Sequence, residues 1–305
     1  MKALATFVMR GWSQATGVAV LCAVLSVLLP PLSILSGAVV ALVALRDGAQ
    51  AGLKLLAAAT VVTALALQLV VGQAAVALLL PLLLWVPMLV LALALRYTRS
   101  LPAALLIAVG FGTLIVLAHV VALDDPAGHW TEVIGAQVGE VLTAQGLDEA
   151  ASKQVLEAMG RWMTGALAAA YFLQIAASLL LARWWQALLY NPGGFGAEFR
   201  ALRLPRWLAL LALPLFAALF MAGLPDVLRY LALPVAAAFF LQGLALAHAQ
   251  LAAFKAGPGW LIGIYALLVV ATPYAFIALA TAGYADAWMD FRARKTDRTG
   301  EGGRT

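Results

Sequence analysis

Long apolar runs separated by short polar clusters are the dominant pattern of this chain. Gly11 to Leu45 holds 35 residues without a charge, and Leu55 to Leu95 holds 41. One helix needs about 20 apolar residues to cross a bilayer, so each run reads as two helices with a turn between them. Pro30-Pro31 breaks the first run, because proline has no N–H and disfavours helix at the residue before it. Gly72-Gln73 turns the second, and Pro81 and Pro87 bend its second half. Leu101 to Leu123 predicts a fifth span. Trp162 to Ala182, Trp207 to Gly223 and Val227 to Phe254 predict three more. Ala256 to Ala285 is charge-free for 30 residues, and Pro273 divides it into two short helices. The pattern predicts an all-α, polytopic helical membrane protein of nine to ten membrane segments.

The polar clusters set the topology. Arg46 and Lys54, then Arg96 and Arg99, favour the cytoplasm. So does the segment from Arg183 to Arg206, with four arginines and one glutamate. The closing Phe291-Arg292-Ala293-Arg294-Lys295 does the same. Ten segments put both termini inside, whereas nine leave the tail outside. Asp124 to Gly160 carries seven of the fourteen acidic residues and only Lys153 as a base, which suits the outer face. Its apolar stripes, Ile134/Val138/Val141/Leu142 and Leu147/Ala151/Val155/Met159, predict two external amphipathic helices. They form either a lid over a cavity or a solvated connector. Lys2 and Arg10 resemble a signal-peptide n-region, but the following run far exceeds an h-region of roughly 7–15 residues, so it reads as an uncleaved anchor. Residues 1–295 read as one membrane-embedded domain and 296–305 as a disordered tail.

Composition agrees with the pattern. The chain is 65% hydrophobic and 11% charged. A soluble domain carries about 25% charged residues, so here lipid must solvate most of the surface. The net charge of +5 is dispersed in short clusters between apolar runs, which argues against nucleic acid as a partner. The single cysteine, Cys22, excludes a disulfide framework.

Candidate chemistry is sparse. Gln68, His119, Gln174, Gln242, His248 and Gln250 are polar groups within apolar runs, with Tyr171 one turn before Gln174. Intramembrane polar groups are costly and so become site candidates. His119, Tyr171, Gln174 and Gln242 are the ligand-binding candidates, although glutamines also serve as interhelical glue. No HExxH or HxxxH spacing occurs, so no metal or other cofactor is expected. GxSxG, paired carboxylates within a span and a nucleophile–base pair are also missing, so the chain reads as a non-enzyme.

Two stretches suggest docking. Gly11, Ala15, Ala19 and Ala23 fall four apart, giving a small-residue face that lets another helix approach closely. On the docking reading, Ala19→Leu breaks partner association without unfolding the protein. The central Asn191-Pro192-Gly193-Gly194 is a helix stop and turn, but NPGGFG lacks the GK[ST] ending of a phosphate loop. Phe195, Phe199 and Leu202 then share one face of a short helix over Gly196 to Leu204, with Glu198, Arg200 and Arg203 off that face. It reads as an amphipathic helix on the membrane surface, its phenylalanines inserted, facing a cytoplasmic partner or anionic headgroups. A plain basic connecting loop is the simpler alternative.

Three stretches, MKALATFVMRGWSQAT, LLYNPGGFGAEFRALRL and DAWMDFRAR, together resemble the YybS-like bacterial membrane proteins, a domain of unknown function. That resemblance implies a bacterial inner membrane. The family is distantly similar to the substrate-binding subunits of energy-coupling-factor vitamin transporters and to the cell-shape protein MreD. In the transporter subunits, AxxxA patterns on the first helix dock a membrane coupling subunit that works with an ATPase module, and Ala15-xxx-Ala19-xxx-Ala23 is similar in kind. Those subunits usually have six spans, fewer than expected here. The resemblance thus implies a small-molecule-binding transporter subunit, with the ligand under the 124–160 segment. The alternative is an assembly protein of the cell envelope without a substrate.

Overall fold

The computed structural model describes residues 1–292 except Leu147, Ala222, Pro258 and Asp290. The basic and disordered tail expected beyond Arg292 lies outside the described residues, as do Leu147 of the second external stripe and Asp290. Among the described residues the chain is helical, with thirteen helices and no strand. They form two compact units, one of residues 1–108 with 173–202 and one of 109–172 with 203–305.

In the first unit, α1 (Lys2–Val8) and α2 (Trp12–Leu25) are bent by 120° at Met9–Gly11. α2 ends at Leu25, a turn over residues 26–31 that contains the double proline follows, and α3 (Leu32–Asp47) starts directly after Pro31. It is buried from Ser36 to Leu45, as a helix that is apolar all round must be. Next, α4 (Ala49–Val71) and α5 (Ala74–Thr98) make the hairpin, with Gly72 at φ 73° supplying the left-handed turn. Pro81 and Pro87 lie inside α5, as expected. The Ser36 hydroxyl fastens three helices: it donates to the Ala19 carbonyl of α2 (2.7 Å) and accepts from Trp85 Nε1 of α5 (3.0 Å).

Beyond α6 (Leu101–Ala122), the second unit holds α7 (Pro126–Ala144). Asp125 caps it by accepting the Gly128 N–H, and Pro126 opens its first turn. The second external stripe does not form a separate helix. It is the opening of α8 (Glu149–Tyr190), a continuous helix of 42 residues whose length is about 63 Å. Between its 151/155/159 stripe and the following apolar run stands only Gly160, a single glycine that a helix tolerates and that lies close to Ala127 and Thr131 of α7, so the helix continues. Trp130 Nε1 of α7 donates to Thr164 Oγ1 of α8 at 3.1 Å.

The central surface helix is shorter than expected. The first unit's α9 covers Gly194–Arg200 only. Phe195 stacks on Phe199, but Phe199 and Leu202 are buried within the protein rather than inserted in lipid. Then come α10 (Arg206–Ala218), α11 (Asp226–Ala253), α12 (Gly259–Val270) and α13 (Thr272–Met289). The split beside Pro273 is therefore present. Gly243 of α11 and Gly283 of α13 face each other, and a Cβ on either would collide with a backbone carbonyl, Leu279 or Phe239 respectively.

Among the described residues, five helices are long and apolar enough to cross a membrane: α4, α5, α6, α8 and α11. The bent pair α1–α2 makes up to six, and α10 and α12 are shorter apolar helices. Large apolar side chains point outward, with Leu69 90%, Val121 87% and Val270 86% exposed. Water would not tolerate so large an apolar surface, and a bilayer supplies its solvent.

Candidate functional site

A concave surface of the first unit lies at the α1–α2 bend. It is an open groove of about 670 Å³. Val8, Met9, Gly11, Trp12 and Ala15 form one flank, and Asp47, Gln50 and Lys54 stand on the other. Its shape follows from local chemistry. Gly11 is extended (φ 174°) and ends one helix direction before Trp12 starts the next. Gly48 at φ 93° does the same between α3 and α4. Trp12 is strongly exposed beside this groove.

The small-residue face is split between two roles. Ala15, Ala19 and Ala23 are buried, because α2 packs on α3 and α4 of the same unit. The Ser36 bond to the Ala19 carbonyl fixes that contact. Ala19 and Ala23 are thus helix-packing residues of this chain, and only Gly11 and Ala15 reach the groove.

Arginines gather at the other end of the same hydrogen-bonded framework. Arg96 Nη1 donates to the carbonyls of Leu45 and Arg46, each at 2.7 Å, and so caps the C-terminus of α3. Arg183 pairs with Glu198 (Nε to Oε2, 2.8 Å) and with Gln186 Oε1 (2.8 Å). Glu198, expected off the apolar face of the central helix, therefore anchors α9 to α8. Arg46 lies over the Tyr190 ring at 4.2 Å. Of the other central residues, Phe195 is half-buried, Arg200 is exposed beside Gly196, and Arg203 is half-buried.

A buried polar cluster occupies the second unit. Gln242 is fully buried; its Oε1 accepts the Leu204 N–H at 2.8 Å and its Nε2 donates to Asp286 Oδ2 at 3.2 Å. Arg292 Nη2 reaches the same carboxylate oxygen at 3.1 Å. One glutamine thus joins Leu204, α11 and α13 within this unit. Asp286 was missed as a site residue because it follows the last apolar run and reads as a wetted helix end. Its signal was Gln242 itself, a buried amide that needs a partner.

The remaining ligand candidates have other surroundings. His119 of α6 contacts its own helix through Nδ1 and the Ile115 carbonyl (2.9 Å), and its ring stacks on Trp130 at 5.9 Å. A carbonyl can only accept, which puts the proton on Nδ1. Tyr171 and Gln174 are half-buried on α8, and Gln174 belongs to the first unit whereas Tyr171, His119 and Gln242 belong to the second. Within the second unit, Gln242 bonds to Leu204 and Asp286, while His119 packs on Trp130. Among the described residues no three His, Cys, Asp or Glu side chains group as a metal site.

No protein-family model matches this chain, and no curated protein or solved structure matches it.

Proposed function

We propose that this chain is a small-molecule-binding subunit of a transport assembly in a bacterial inner membrane. It has nine or ten membrane segments, with the shorter apolar helices supplementing the long ones, and ten put both termini in the cytoplasm. It works without catalysis, docked to a membrane coupling subunit that an ATPase module drives. The groove at the α1–α2 bend carries this reading. Its apolar flank and its Asp47–Gln50–Lys54 flank suit an amphipathic helix of the coupling subunit, with apolar side chains against Trp12 and charges toward Lys54 and Asp47. Docking moves from the Ala19/Ala23 face, which is covered, to the rim formed by Gly11 and Trp12.

Affinity purification in gentle detergent, followed by mass spectrometry, tests this. An ATPase and its membrane coupler should co-purify with the native chain and be lost with Trp12→Ala. A second reading, an MreD-like assembly protein of the envelope without a substrate, is favoured by one observation. Ser36, Gln242 and Asp286 bond to other parts of the chain rather than to an open site. Co-purifying cell-wall or cytoskeletal proteins would establish that reading instead.

A further inference from the structure

A notch of about 310 Å³ opens in the first unit between the ends of α3, α5 and α8 and the start of α9. Its lining is Leu45, Leu95, Arg96, Arg99, Arg183, Gln186 and Glu198. Three guanidiniums face one carboxylate, which leaves two positive charges. Two of the three are held rigidly, Arg96 by the α3 carbonyls and Arg183 by Glu198 and Gln186. The third differs. The Arg99 guanidinium has no partner among the described residues, and its backbone sits in the left-handed region at φ 53°. Glycine or asparagine is the usual residue at such a helix C-cap. Arginine is conformationally unfavourable there.

We propose that this notch binds a phosphate group, with Arg99 as its uncommitted ligand and Arg96 and Arg183 as fixed flanking charges. Guanidinium forks match phosphate oxygens with paired, charge-assisted hydrogen bonds. A polar notch at the end of membrane helices is open both to phospholipid headgroups and to free phosphate compounds. The chemistry is shared, and the source is what the experiment resolves. The proposal is independent of the docking groove, which other residues line.

The test uses the full chain purified in a zwitterionic detergent. One arm titrates inorganic phosphate and follows thermal unfolding. The other adds phosphatidylglycerol or phosphatidylcholine and counts retained lipids by native mass spectrometry. Arg99→Asn is the diagnostic variant, because asparagine suits the left-handed cap and the fold should hold or gain stability. Lys2→Gln removes a charge outside the notch as a control. Stabilisation by phosphate, weakened about tenfold or more in Arg99→Asn and unchanged in Lys2→Gln, identifies a free phosphate ligand. Retention of phosphatidylglycerol over phosphatidylcholine, with the same dependence on Arg99, identifies a headgroup. No response in either arm, or an equal response in Arg99→Asn, overturns the proposal.

Discussion

Gln242 and Asp286 meet inside the second unit, where the glutamine amide nitrogen lies 3.2 Å from the carboxylate. The same glutamine accepts the Leu204 N–H, so one side chain satisfies backbone, amide and carboxylate at once. Gln242→Leu should therefore strand a buried N–H and weaken the support of a buried charge. The expected loss is about 2–4 kcal/mol of stability, seen as a lower thermal midpoint in detergent. Gln242→Glu should also destabilise, because it sets two carboxylates together. An unchanged midpoint in both variants would contradict the clamp.

Ser36 should behave as a shared node. Ser36→Ala removes the bond to the Ala19 carbonyl and strands Trp85 Nε1, costing about 1–3 kcal/mol. Trp85→Phe alone should cost a similar amount. In a double-mutant cycle the two should couple by roughly 0.5 kcal/mol or more. Additive losses would mean that the indole N–H finds another partner.

Ala19→Leu now has a different expected outcome from the one the small-residue pattern suggests. Ala19 is buried against α3, so added methylenes must push α2 and α3 apart. Overpacking of this kind costs about 1–3 kcal/mol. The variant should lose thermal stability in isolation, before any partner is considered. Full stability with lost partner association would restore the docking role of that face.

The α11–α13 contact yields the sharpest contrast between glycines. Gly243→Ala or Gly283→Ala drives a methyl into a carbonyl of the opposite helix and should lower the thermal midpoint strongly. Gly263→Ala of α12, with open space around it, should be neutral or stabilising by up to about 1 kcal/mol. Similar effects at the three positions would argue against backbone-to-backbone packing.

Punctuation was legible in the sequence, and partnership was not. The Pro30-Pro31 break, the Gly72 turn and the split beside Pro273 follow from missing N–H groups and positive φ, which are local properties. The continuity of α8 runs through Gly160, where a lone glycine neither ends a helix nor says that it continues. The face of Ala15, Ala19 and Ala23 was visible as a close-packing surface. Spacing alone says nothing about whether the opposite helix belongs to the same chain. The Gln242–Asp286 pair spans 44 residues of sequence, and the Ser36–Trp85 pair 49. Periodicity cannot report contacts that long.

The docking account stands or falls on what occupies the groove at the α1–α2 bend. A photo-cross-linking amino acid at Gln50, activated in native membranes, reads this directly. A matched probe at Leu69, exposed on the lipid side of α4, serves as the control. Cross-links from position 50, but not 69, to a membrane subunit that co-purifies with an ATPase are the predicted result. Cross-links from position 50 only to lipid, to this chain itself or to cell-wall proteins would contradict it.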